Sequence, residues 1–493
     1  MHRLQTRYLL PFFHDFSTCD ELAQVLLELR FATAKGEKPV WQRAQVADLY
    51  RNEVLPEVTA FLFGQGADEP RYYRVNPELS SHWFGQGVEI HYGRERVRRV
   101  ALESHAAIEL FILPAGVGLL SIALRYEQGE LDTDALKIVN YRLAQWLPAK
   151  IANLVIPHSG HPNAKPPPAA NAPLNERLGR AGGAFNLPEL CGFLLGPLKL
   201  GERGRPQPQF SIYSALRIQP PQRFIDPATQ VQWRPLLSAL THLEEENHPG
   251  SLRLNENVLN AHHWAAVGTL GSAHLLTDQP GELGFNEQRQ TLCFIKYFIP
   301  YLVAKVQRLI LLRTLQRGAE ILATVTDQRE QALRFQSLHG DILRFSLHGH
   351  FAEVSSREVL NQYYQLSRTG LRVEKTFETL RRALHDADMK SESEHQSKTL
   401  REMHTMQSKL EWLEVFFASY YAGALAYYVS SGLFSKLYTS LSSAGWAFFA
   451  GALVLYGIRP WSHKPSGVSW ARILIPIGLG MMVWFGIGWV FFR

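Results

Sequence analysis

Two carboxylates, Glu411 and Glu414, stand three residues apart at the head of an apolar tail, on one face if the segment is helical. Acids beside a long apolar run are costly unless they face water or a partner. Repeated around an oligomer they would form rings that gather cations; paired with Lys409 or simply solvated, they would only mark the edge of the tail. Ser419, Gly423, Ala426 and Ser430 follow at three- and four-residue spacing, with Ser431 beside them. Such a small, hydroxylated stripe would line an ion pathway or let helices approach closely, and packing is its more frequent use.

Other groupings carry weaker chemistry. Arg94, Arg96 and Arg98 alternate on a predicted strand, a pattern suited to a small anionic or nucleotide regulator or to a solvated strand face. Gly116 and Gly118 lack a third glycine and a following helix, so a turn or bulge is expected and not a dinucleotide loop. His262, His263, His274, His348 and His350 show no zinc-like spacing and read as core or surface residues. Cys19, Cys191 and Cys293 are far apart, which excludes a disulfide scaffold or zinc ribbon and suits a reducing compartment. Asp386, Asp388, Glu392 and Glu394 form a polar cluster that would be solvated, or would hold cations between subunits. With no P-loop and no nucleophile elbow, no catalytic residue is assigned and no enzyme is expected.

The elements that must position these residues divide sharply. The chain has 493 residues, 46 % hydrophobic and 19 % charged, with a net charge of +6. From Leu410 onward only Glu411, Glu414, Lys436, Arg459, Lys464, Arg472 and Arg493 are charged, so five basic and two acidic residues supply half of the excess. The remaining excess is small, and nucleic acid is not expected as a partner. The tail 410–493 reads as three membrane spans, 413–434, 437–458 and 471–492, each near the 20 or so apolar residues that a spanning helix needs. Basic residues concentrate between the second and third spans, which places that loop and the N-terminal part in the cytoplasm. Met1–Phe13 has no secretory signal pattern.

Ahead of the tail, 1–155 reads as a mixed α/β domain and 156–185 as a Pro/Ala/Gly-rich linker. A second α/β stretch, 186–285, and a helical stalk, 286–409, follow. The fold class expected is an α+β cytoplasmic region, a long stalk helix and a helical transmembrane domain. Val373, Phe377, Leu380, Leu384 and Ala387 are spaced as a heptad, and the polar run Asp388–Lys398 then leads through Leu400, Met403, Gln407 and Leu410 into the tail. Read as one helix from Ser355 to Gly432, this is a stalk packed against copies of itself.

This layout resembles the CorA-type divalent-cation channel superfamily, in a divergent form. The resemblance rests on Val354–Leu413, on the run Leu410–Tyr421 and on the short turn Phe434–Leu437. It implies a homopentamer in a bacterial inner membrane, magnesium or another divalent cation as cargo, and a pore gated by the cytoplasmic domain. Some divergent members accompany bacterial antiviral systems, so a defence effector is also implied. Ser430-Ser431-Gly432-Leu433-Phe434 stands where the family has Gly-Met-Asn, so magnesium selectivity does not carry over, and the third span is a further departure. The alternative is a membrane-anchored binding or scaffold protein without a pore.

Overall fold

The computed structural model describes most residues between Arg3 and Leu433; outside it lie chiefly 45–52, 65–69, 103–107, 127–132, 147–151, 158–168, 243–253, 280–282 and 434–493. The strands are β1 (Arg3–His14), β2 (Arg30–Thr33), β3 (Gly36–Pro39), β4 (Trp41–Arg43), β5 (Arg71–Val75), β6 (Val88–Tyr92), β7 (Glu95–Leu102) and β8 (Ile108–Leu113). They continue as β9 (Val117–Tyr126), β10 (Asn153–Val155), β11 (Ala184–Phe185), β12 (Gly204–Pro206), β13 (Ser211–Ile218), β14 (Asn255–Asn260), β15 (His263–Val267) and β16 (Gly271–Thr277). The helices are α1 (Cys19–Leu27), α2 (Pro56–Phe63), α3 (Pro77–Phe84), α4 (Thr133–Leu143), α5 (Leu174–Arg177) and α6 (Leu187–Leu194). After them come α7 (Pro227–His242), α8 (Leu283–Lys296), α9 (Phe298–Thr324), α10 (Gln328–His348), α11 (Glu358–Gly370) and α12 (Val373–Leu433).

All strands but β2 and β3 join one sheet, along the order β11-β10-β6-β7-β9-β1-β13-β16-β15-β14, with β4, β5 and β8 branching from β9 and β12 beside β1. Strands from 1–155 and from 186–285 therefore share one sheet, joined at its centre where β1 pairs with β9 and β13. β1 is buried almost throughout, as a strand covered on both faces must be, so its polar residues Thr6 and Arg7 need buried partners. Alternation sorts its side chains. Leu4, Tyr8, Leu10 and Phe12 enter one core with α1, α3, α4, α6 and α7; Leu9 and Phe13 enter the other with α2, α8, α9, α10 and α11. Gly118 on β9 is required because a Cβ there would fall 2.1 Å from the Phe12 ring.

Each face of the sheet centre carries a buried polar network. On the first, Tyr8 and Tyr126 donate to Asn140 Oδ1 at 2.7 and 3.1 Å, and Asn140 Nδ2 donates to Ser214, itself 3.1 Å from Thr6. On the second, Arg7 donates to Glu109, which also accepts from Tyr72 and, at 3.4 Å, from Arg74. Arg7 and Glu109 are both fully buried, and the guanidinium lies 4.0 Å from the Phe298 ring centre and 4.8 Å from that of Phe294.

The described chain forms two units, Met1–Ala387 and Asp388–Arg493. Two expectations about the helices are corrected. The stretch from Ser355 to Gly432 is not one helix: α11 ends at Gly370, and Arg372, at φ 56°, is left-handed. A Cβ at Gly370 would lie 2.4 Å from the Val267 carbonyl oxygen, so the chain turns where it presses on β15. The heptad residues Val373, Leu380 and Leu384 are buried in the second core, with Phe377 packed against it, and so serve the body of their own chain.

The membrane domain is also corrected. Among the described residues no helix is long and apolar enough to cross a membrane. The first expected span, 413–434, falls on the end of α12, where Glu414, Ser419, Tyr420, Tyr421, Tyr427, Tyr428, Ser430 and Ser431 dilute the apolar residues. The spans 437–458 and 471–492 lie outside the described residues. The α+β region and the helical C-terminal part stand; the transmembrane fold class, the inner-membrane placement and the channel description that needed them do not.

Two outcomes are expected. Glu109→Leu strands the Arg7 charge in the core and should cost about 3–5 kcal/mol in urea unfolding, most of it recovered in the double variant with Arg7→Met. A single-variant cost under about 1 kcal/mol would contradict this. His14 is buried with neither ring nitrogen hydrogen-bonded, and desolvation, reinforced by Arg313, lowers its pKa to about 4. The fold holds the neutral ring, so its contribution is complete above pH 6.5 and is lost as pH falls through 4, by about 3 kcal/mol in total. His14→Phe should remove that part of the acid sensitivity.

Candidate functional site

The expected site residues fall mostly on α12. Glu411 and Glu414 are exposed on this helix, three residues apart, as the spacing predicts. Ser419, Gly423, Ser430 and Ser431 lie on its backbone, and their side chains are outside the described residues. Arg94 is likewise outside them. Arg96 pairs with His91 and Arg98 with Ile90, and the register shift between these pairs interrupts the strict alternation expected along β7. A bulge of this kind is not visible in an alternating sequence.

α12 presents a feature broader than the two carboxylates. Met403, Met406, Leu410, Leu413, Phe417 and Tyr420 repeat at three- and four-residue steps and are 48–71 % exposed. With Met403 as position a of a heptad, Leu410 and Phe417 are also a, and Met406, Leu413 and Tyr420 are d. Ala424 and Tyr427 extend the register. Leu400 and Tyr421 at e, and Phe416 at g, widen the stripe, and all three are exposed. The strip is flanked by Lys409 at g and Glu414 at e, five residues apart. In a parallel pair of identical helices, g of one copy lies beside the following e of the next, so these opposite charges would meet. An exposed run of large apolar side chains is the mark of a covered surface.

The sequence reading named Leu400, Met403, Gln407 and Leu410 as the run leading into the tail and assigned no heptad register there; taking Met406 and Leu413 with Met403 and Leu410 gives a series of apolar side chains. The signal was present: an unbroken apolar a/d series is a better match than one interrupted by polar residues.

A second constellation lies in the second core of the body. His263 on β15 and His274 on β16 meet with Nε2 and Nδ1 2.9 Å apart. Cys293 on α8 brings its Sγ to 3.7 Å from His263 Nε2. Tyr363 on α11 places its hydroxyl 2.9 Å from His274 Nε2 and 2.7 Å from Ser272 Oγ, while Ser272 donates to the Ala266 carbonyl at 3.0 Å. Burial lowers both histidines, His263 to about 3, and raises the Cys293 thiol and the Tyr363 phenol. Nitrogen and sulfur donors do not suit magnesium, which takes oxygen ligands.

Local periodicity hides this grouping, because 263–276 is apolar enough to pass for one continuous strand. Eleven residues apart on a single strand, His263 and His274 would face opposite ways. The turn between Val267 and Gly271 folds the segment into a hairpin with Ala265 opposite His274, which puts both histidines on one face. Gly268 and Gly271 bracket that turn and were the available signal.

No known family model, curated protein or solved structure matches this chain.

Proposed function

We propose that the protein is a self-assembling scaffold, a parallel homo-oligomer held by the apolar face of α12 and displaying the α/β body of each copy. The observation that supports it is the unbroken, exposed a/d series from Met403 to Tyr420. Burying such a face against identical helices removes apolar area from water at about 25 cal/mol per Å². The Lys409–Glu414 spacing favours the parallel, in-register arrangement over the antiparallel one. Apolar residues at e and g make the stripe wider than a two-stranded seam requires, so the reading is of three or more copies, a range that includes a pentamer. In this reading Glu411 and Glu414 flank the contact between helices and do not line an ion pathway.

Sedimentation of the full chain tests this. The expected particle is at least three times the 56.0 kDa protomer. Leu410→Glu with Leu413→Glu should yield monomers whose body unfolds at the wild-type temperature. Lys409→Glu alone should weaken association through repulsion with Glu414, and adding Glu414→Lys should restore it, with an effect of up to about 1 kcal/mol per contact. A wild-type monomer at all concentrations, or an oligomer that tolerates both seam glutamates, would overturn the proposal.

A further inference from the structure

The pairing of β15 with β16 and the packing of α8 upon them bring three metal-ligating atoms together in the buried core. His263 Nε2, His274 Nδ1 and Cys293 Sγ come from three different elements, and one ligand atom from each residue lies within 4.8 Å of the others. The residues are 2 %, 0 % and 3 % exposed. A tetrahedral ion with bonds of about 2.0 Å to nitrogen and about 2.3 Å to sulfur sets its ligands roughly 3.3 Å (N to N) and 3.5 Å (N to S) apart. The 2.9 and 3.7 Å separations found here bracket that geometry.

The surroundings fix which nitrogens are available. Ser272 donates to the Ala266 carbonyl, so it accepts from the Tyr363 hydroxyl, and Tyr363 in turn accepts from His274 Nε2. This chain keeps the His274 proton on Nε2 and turns the Nδ1 lone pair toward His263. Metal-bound histidines are held in the same way, by a hydrogen bond on the nitrogen that does not ligate.

We propose that His263, His274 and Cys293 form a buried site for a monovalent late-metal cation, Cu(I). The donor set of two imidazoles and one thiolate suits Cu(I) or Zn(II). Charge decides between them. Cu(I) with one thiolate is neutral, whereas Zn(II) with one thiolate leaves a net positive charge where no carboxylate is among the ligands. Arg289, whose positive charge acts on both His263 and Cys293, adds to the cost of a second positive charge and favours the thiolate. On binding, Sγ loses its proton to solvent and forms the Cu–S bond, His263 moves its proton from Nε2 to Nδ1 so that Nε2 can ligate, and no electron is transferred. The site would tie the β15–β16 hairpin to α8 and is independent of the seam on α12.

The test uses the full chain, reduced and anaerobic, offered Cu(I) against a Cu(I)-selective chelator and, separately, Zn(II). The expected result is one Cu(I) per chain, with X-ray absorption showing one sulfur and two nitrogen ligands and with a raised unfolding temperature. Cys293→Ser should lose the sulfur scatterer and the thermal shift, and Tyr363→Phe should weaken binding about 10- to 100-fold without changing the ligand count. X-ray absorption on the wild type keeps the proposal testable if Cys293→Ser does not fold. Failure of the wild type to take up Cu(I), tighter binding of Zn(II), or a copper environment without sulfur would overturn it.

Discussion

The guanidinium of Arg7 and the carboxylate of Glu109 meet in the second core without any contact with water, and the body is arranged around keeping them together. Two isolated charges at this depth would be untenable. Glu109 is therefore supplied with donors from β1 and β5, while Arg7 lies against the Phe294 and Phe298 rings of α8 and α9. The pair constrains the register of β1, which pairs with β9 on one edge and β13 on the other, and so the join between the two sequence stretches of the sheet. It also sets where α8 and α9 sit, since their aromatic residues close over the charge. The His263–His274–Cys293 cluster depends on the same placement, because Cys293 precedes Phe294 on α8.

The polar groups of this core form a band across one sheet face. Glu109, Arg7, Tyr213, His274 and His263 stand on β8, β1, β13, β16 and β15, and Lys305 of α9 donates to Ser211 at 2.6 Å above it. Such a band specifies alignment: sliding a helix by one turn would leave several buried groups without partners. The other unit makes a different use of its sequence. Along α12 the early heptad residues are spent on the body's own core, whereas Met403–Tyr420 are exposed. The two heptad runs lie in different registers and serve different purposes, the first buried in the body and the second exposed.

The sequence made much of the fold class legible. Its apolar strands, its helical second half and the turn expected at Gly116 and Gly118, which joins β8 to β9, all match the elements observed. Three things were hidden, each for a physical reason. A central β1 flanked by β9 and β13 is a long-range pairing, which local periodicity does not encode. The hairpin at 263–277 looks like one long strand, because both arms are apolar and the turn is short. The end of α12 reads as a membrane span when charges alone are counted, although its tyrosines and serines make it too polar for one. The seam itself was half legible, since its apolar residues also read as the approach to a membrane span.

Assembly through α12 is the claim on which the functional account stands. Distances between spin labels measure it directly. Thr405→Cys and Trp412→Cys place one label each at c positions one heptad apart, and the native cysteines Cys19, Cys191 and Cys293 are buried. A parallel, in-register oligomer predicts the same intermolecular distance at both sites, below about 35 Å given helix axes 8–10 Å apart for neighbours. An antiparallel pair centred on the Met403–Tyr420 seam would offset the labels along the axis by about 20 Å at 405 and by under about 2 Å at 412, at 1.5 Å rise per residue, so the two distances would be unequal. A clearly longer distance at 405 than at 412, or no dipolar coupling at either site, would contradict the account.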